Sequence, residues 1–133
     1  MEKPYSYAVI GTGAIGGYYG SLLVRSGKDV HFLLHSDYEH VRRHGLTVAS
    51  KYGDFALPHV NAYKSPETLP RCDVAIVALK ATDNGILPDI LPYCLNERGI
   101  VLLLQNGFGQ EELIAAIPGV KTIVAGLCFV CTT

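Results

Sequence analysis

The sequence predicts an α/β fold: a doubly wound, mostly parallel sheet with helices on both faces. Short apolar runs alternate with helical patterns along the 133 residues, which is the signature of a covered parallel sheet. One run, Asp73 to Leu79 (DVAIVAL), is almost continuously apolar, as a strand buried on both faces must be. The first run, Tyr7 to Ile10, passes through a glycine-rich turn straight into a helical pattern, joining strand and helix in one unit.

That first unit carries the sharpest signal. Gly11, Gly13 and Gly16 stand in the spacing G-x-G-x-x-G, and Leu22, Leu23 and Val24 belong to a helix that stops at Gly27. This is the Rossmann-type fingerprint of a dinucleotide site. Gly11 lets the strand end turn tightly, Gly13 leaves the backbone bare for a pyrophosphate, and Gly16 lets the helix lie close to the strand. The helix start supplies unpaired N–H groups and the positive end of the macrodipole, so a diphosphate is stabilised without a basic side chain. Thr12, Ala14 and Ile15 contribute the backbone between the glycines.

The elements that follow fit the same architecture. Asp29 to Leu34 reads as a second strand, and Ser36 to Glu39 as a capping box opening a helix that Gly45 ends. Leu46 to Ser50 and Phe55 to Leu57 read as a small hairpin, and Ser65-Pro66-Glu67 as a cap with proline at the first helical position. After the strand Asp73 to Leu79, a helix over Asp83 to Cys94 is weakened by Gly85, Pro88 and Pro92. Ile100 to Leu104 is a further strand, Glu111 to Ile117 a short helix closed by Pro118-Gly119, and Thr122 to Val130 a last strand.

Two polar residues stand where open α/β sheets bind ligands, outside the carboxyl ends of the strands. Lys80 follows the strand Asp73 to Leu79, and Asn106 follows Ile100 to Leu104. Each has a bland alternative. A lysine in a loop is ordinarily solvated, and Asn-Gly is a common tight turn. Their shared edge with Gly11 makes the three a candidate crevice.

Composition narrows the function classes. A chain with 49% hydrophobic and 17% charged residues is not disordered. No apolar run reaches the roughly 18 residues of a spanning helix. A net charge of −1 leaves no basic footprint for nucleic acid. The start, MEKPYSYAVIG, lacks the layout of a signal peptide. A soluble, cytoplasmic protein is expected, with neither nucleic acid nor membrane as a partner.

The other candidate ligand groups carry little. His40 and His44 share a helix face, but Arg42 and Arg43 lie between them, so a solvated face is expected rather than a metal site. His31 and His59 have no informative context. Cys72, Cys94, Cys128 and Cys131 sit in or beside apolar segments. The odd offset of Cys128 and Cys131 in a strand points them to opposite faces, so packing is expected of them rather than redox or zinc chemistry.

Taken in order, Gly11-Thr-Gly-Ala-Ile-Gly16, Val77-Ala-Leu-Lys80 and Gln105-Asn-Gly-Phe-Gly109 followed by Glu111-Glu112 resemble the ketopantoate reductases (2-dehydropantoate 2-reductases). The resemblance covers nearly the whole chain but only the amino-terminal, nucleotide-binding domain of that family. It implies NADPH-dependent reduction of 2-dehydropantoate to pantoate, a step toward pantothenate and coenzyme A. It assigns the pyrophosphate to the turn from Gly11 to Gly16, cofactor contacts to Lys80 and Asn106, and a position near the substrate to Asn106. The family's general-acid lysine and most of its substrate contacts belong to a helical carboxyl-terminal domain, expected beyond Thr133. Partners are then a 2-oxo acid and that domain, with a second copy of the chain left open.

One residue departs from the family pattern. His35 stands where an arginine often meets the 2′-phosphate of NADP. The absence of Asp or Glu there argues against strict NAD use. Histidine loses its charge near neutral pH, so NADPH binding is expected to be weaker or pH-sensitive. Two alternatives stay open: the cofactor domain of another two-domain hydroxy-acid dehydrogenase, and a stand-alone dinucleotide-sensing module.

Overall fold

The computed structural model describes residues 4–11, 14–49, 53–79, 81–105 and 110–126. Strands β1 (Ser6–Ile10), β2 (Asp29–Leu33), β5 (Asn61–Tyr63), β6 (Cys72–Val77), β7 (Leu95–Leu104) and β8 (Thr122–Gly126) form one sheet in the order β5-β2-β1-β6-β7-β8. Every pairing in it is parallel. The chain runs outward from β1 through β2 to β5, then returns to build β6, β7 and β8 on the other side. β1 and β6 therefore flank the point where strand order reverses, where ligands of such sheets bind.

Alternation along the central strands feeds two cores. Ala8 and Ile10 of β1, Ala75 and Val77 of β6, and Val101 and Leu103 of β7 point into one, with Leu87, Leu91, Cys94, Ile114 and Ile117. Val9, Val74 and Ile76 point into the other, with Val30, Phe32, Leu34 and Val41. A side-chain period of two with apolar residues on both faces is what makes these runs continuous in sequence.

Helix α1 (Ala14–Arg25) covers the Phe32 face and carries Gly20 against it. A Cβ on Gly20 would lie 2.5 Å from Phe32 Cε1 and 3.1 Å from Val9 Cγ2, so the missing side chain is what lets α1 lie this close to the sheet. The same face holds α2 (Tyr38–His44), whose buried residue is Val41. The hairpin β3 (Leu46–Val48) and β4 (Phe55–Leu57) forms its own antiparallel pair. The Arg25 guanidinium stacks over the Phe55 ring at 4.7 Å, tying that pair to α1. The opposite face carries a 3-10 segment (Ala81–Asp89), α3 (Leu91–Cys94) and α4 (Gln110–Ala115).

Several local expectations are corrected. The capping box does not form: Asp37 is the N-cap of α2 and makes no side-chain cap bond. Glu39 instead faces Arg42 and Arg43, each at 3.8 Å. The segment from Asp83 is a 3-10 run containing Pro88, followed by only one α-helical turn, because proline removes a backbone donor. The 3-10 turn Pro66–Thr68 does start at Ser65, but Thr68 Oγ1 donates back to the Ser65 carbonyl, and Ser65 makes no side-chain cap. β7 begins at Leu95, before the apolar run, and its pairing shifts register between Cys72↔Leu95 and Val74↔Ile100. β5 was not expected at all.

At the amino end of the sheet, the Asp73 carboxylate accepts from the Ser6 N–H at 2.9 Å, the Ser6 hydroxyl at 3.2 Å and the Asn96 amide at 2.9 Å. Those bonds join β1, β6 and β7 at the edge opposite the glycine turn. No helix among the described residues is long and apolar enough to cross a membrane.

Candidate functional site

The carboxyl ends of β1, β2 and β6 finish level with one another. Ile10 pairs with Leu33 on one side and with Val77 on the other. Beyond the β1–β6 ladder, the Ala78 N–H donates to the Ile10 carbonyl at 2.9 Å. Gly11 follows at once with φ +91, a left-handed conformation that glycine tolerates and L side chains rarely adopt. A Cβ there would lie 2.8 Å from the Leu79 nitrogen. Gly11 is thus required twice, by its backbone angle and by the chain of β6 passing beside it.

Gly16, in the first turn of α1, is buried, and a Cβ on it would overlap the Gly11 carbonyl oxygen and meet Ala78 Cβ at 3.2 Å. The helix start is therefore pressed onto the strand ends, as the spacing of the glycines predicts. The first turn of this 12-residue helix carries no acidic side chain, so its unpaired N–H groups and positive dipole end are not neutralised from within. Ala14 and Ile15 supply backbone to that turn. An uncompensated helix start pressed against the end of β1 fits a diphosphate.

His35 is exposed and lies just past β2, on the strand next to the glycine turn. Its carbonyl accepts from the Tyr38 N–H at 3.4 Å, and the preceding Leu34 N–H donates to the Tyr63 carbonyl at 2.8 Å. β2 thus delivers His35 to the edge that carries Gly11. Thr12, Gly13, Lys80 and Asn106 lie outside the described residues, as do Cys128 and Cys131. What is described is the chain leading to two of them. Leu79 precedes Lys80, Gln105 precedes Asn106, and the Gln105 side-chain amide donates to the Leu79 carbonyl at 2.8 Å.

In the sequence Gln105 stands out only as a neighbour of Asn106. The available signal was a polar residue at the end of an otherwise apolar strand. His31 is a second residue whose role the sequence hid. Its Nδ1 is 2.9 Å from the Tyr63 hydroxyl and its Nε2 is 2.9 Å from Asp29 Oδ1, which joins β5 to β2. Burial raises the Tyr63 pKa, with Cys72 and Asp29 adding to the effect. That trio ties down an edge strand.

The remaining candidates stay outside the site. The His40 and His44 rings sit 4.9 Å apart on the exposed side of α2, and no group of three His, Cys, Asp or Glu among the described residues is placed to hold a metal. Cys72 and Cys94 are buried free thiols. Burial pushes them up to about 11 and about 12, too high to supply a thiolate at neutral pH.

Known proteins are similar to this chain over most of its length. A 2-dehydropantoate 2-reductase of Nostoc sp. is 57% identical over 126 residues, covering 95% of this chain and 40% of its own length. The chain thus spans about two-fifths of that relative. The crystal structure of a 2-dehydropantoate 2-reductase from Geobacter metallireducens superposes with a TM-score of 0.90 at 44% identity, over 95% of this chain and 42% of that one. The corresponding enzyme from Methylococcus capsulatus gives 0.82 at 29% identity, over 95% and 41%. A family model described as ketopantoate reductase PanE/ApbA matches residues 7–133, from the first residues of β1 through the glycine turn and both later strand ends. The chain with this sheet order and this glycine turn belongs to the ketopantoate reductase family.

Proposed function

We infer that this chain is the NADPH-binding part of a 2-dehydropantoate 2-reductase. The observation that carries the reading is the packing of Gly16, in the first turn of α1, onto the Gly11 carbonyl at the reversal point of the sheet. NADPH, when bound, supplies the hydride that reduces the ketone of 2-dehydropantoate to pantoate.

The residues have separate tasks. The turn from Gly11 through Thr12, Gly13, Ala14 and Ile15 to Gly16 holds the pyrophosphate through backbone N–H groups. His35, with Ser36 beside it, meets the 2′-phosphate on the β2 side. Lys80 and Asn106 contact the cofactor from the far side, and Asn106 orients the substrate ketone. The general acid and most of the substrate pocket belong to a further domain. Family membership and the share of each relative covered support that division of labour.

The test is NADPH oxidation by the full-length protein. The expected result is consumption that depends on 2-dehydropantoate and is lost in Asn106→Ala. Consumption with unrelated 2-oxo acids but not with 2-dehydropantoate would move the assignment to another hydroxy-acid dehydrogenase. Binding of NADPH without consumption of any 2-oxo acid would favour a sensing module.

A further inference from the structure

Gln105 is a buried polar residue, 9% exposed, standing immediately after the apolar strand β7. An amide in such a place is unfavourable unless it is hydrogen-bonded. Its Nε2 donates to the Leu79 carbonyl at 2.8 Å. The last register pair of the β6–β7 ladder is Val77↔Leu103, and Leu79 and Gln105 follow it just past the ends of their strands. The side chain takes over where the backbone ladder stops and holds the two strand ends together.

Leu79 is also the residue against which Gly11 packs, with its nitrogen 2.8 Å from the position a Gly11 Cβ would take. A line of contacts therefore runs from the glycine turn through Leu79 to the end of β7. In the sequence, Lys80 is the next residue after Leu79 and Asn106 the next after Gln105.

We propose that Gln105 is a positioning residue of the cofactor site. By bonding the Leu79 carbonyl it sets the spacing of the two strand ends from which Lys80 and Asn106 depart, and so fixes the nicotinamide half of the site. This rests on the NADPH reading above. It makes a division within the site: the adenosine half depends on the glycine turn and β2, and the nicotinamide half depends on the Gln105 bond.

Two variants of the full-length enzyme test it. Gln105→Met keeps the length and loses the donor. Gln105→Glu keeps the shape but sets a carboxylate against a carbonyl oxygen until it is protonated. Turnover with NADPH and 2-dehydropantoate is compared with the affinity for adenosine 2′,5′-bisphosphate, which takes only the adenosine half. The expected result is a kcat lowered by about 10- to 100-fold in both variants, as a misplacement of reacting groups produces. Affinity for the bisphosphate should stay close to wild type. Relative to wild type, Gln105→Glu should recover as pH falls from about 8 to about 6, because its neutral form regains a donor, and Gln105→Met should not.

Wild-type kcat in both variants, or a parallel loss of bisphosphate affinity, would overturn the proposal. If wild-type protein binds NADPH without reducing 2-dehydropantoate, the substrate assignment fails by itself. The NADPH affinity relative to that for the bisphosphate then decides Gln105: a fall in Gln105→Met supports the positioning role, and an unchanged ratio overturns it.

Discussion

A methyl group added at Gly16 would run into the Gly11 carbonyl oxygen and meet Ala78 Cβ at 3.2 Å. Backbone cannot give way there as a flexible side chain would, so the helix start must move off the strand ends. Gly16→Ala is therefore expected to weaken NADPH binding by roughly tenfold or more, about 1.4 kcal/mol, while the far-ultraviolet circular dichroism of the protein persists. Wild-type affinity in this variant would contradict the role given to the turn. At His35 the prediction has the opposite sign. Gaining a permanent guanidinium, which can grip a phosphate through two parallel hydrogen bonds, His35→Arg should strengthen NADPH binding over NADH. Equal affinities for NADPH and NADH in wild type would remove His35 from the site. The glycine turn was legible in the sequence because its logic is local: three backbone positions within six residues. The Gln105 bond was not, because its partner is a carbonyl 26 positions away and a carbonyl has no side-chain signature.

Helix α1 depends on smallness for its place, as its contact with Phe32 makes plain. Gly20→Ala puts a Cβ within 2.5 Å of that ring, which has no free end to swing aside. Overpacking of this kind is expected to destabilise by about 1–3 kcal/mol, read as a lower urea midpoint. An unchanged midpoint would mean that α1 shifts at little cost. At this scale sequence and structure agree for elements with strong patterns and part for the others. β1, β2 and β6 were legible because burial on both faces makes a strand apolar throughout. β5 was not, because Asn61-Ala-Tyr63 is a short edge strand with no apolar run, held by its pairing with β2 and by the Asn61 amide donating to the Val30 carbonyl at 3.0 Å. The start of β7 was missed because Asn96-Glu-Arg98 is polar, and those residues enter the strand through an irregularity beside β6. The capping box failed because Asp37 takes the N-cap position and Glu39 lies beside two arginines.

Across the whole molecule, the two buried thiols predict how stability responds to alkali. Burial holds Cys72 and Cys94 protonated in the folded state, to about 11 and about 12 against an ordinary value of 9.0. The unfolded chain releases those protons first, so their contribution is complete below pH 9.0 and is lost as pH rises through the window from 9.0 to about 12. The urea midpoint should fall across that window. It should fall less steeply in Cys94→Ala, even though that variant starts from a lower midpoint. Equal slopes would show that other groups govern the response. The strand order was foreseen in class, a doubly wound parallel sheet, and its full order β5-β2-β1-β6-β7-β8 emerged only from the pairings. That order makes the glycine turn the centre of the molecule, with β2 and His35 to one side and β6, β7 and Gln105 to the other. Titration of the chain with NADPH, followed by the change in nicotinamide fluorescence, tests this most directly. Saturable binding at one site, weakened by roughly tenfold or more in Gly16→Ala and accompanied by negligible turnover of 2-dehydropantoate in these 133 residues, is the predicted result. Absence of saturable binding in the wild-type chain, or affinity that survives Gly16→Ala unchanged, would contradict it.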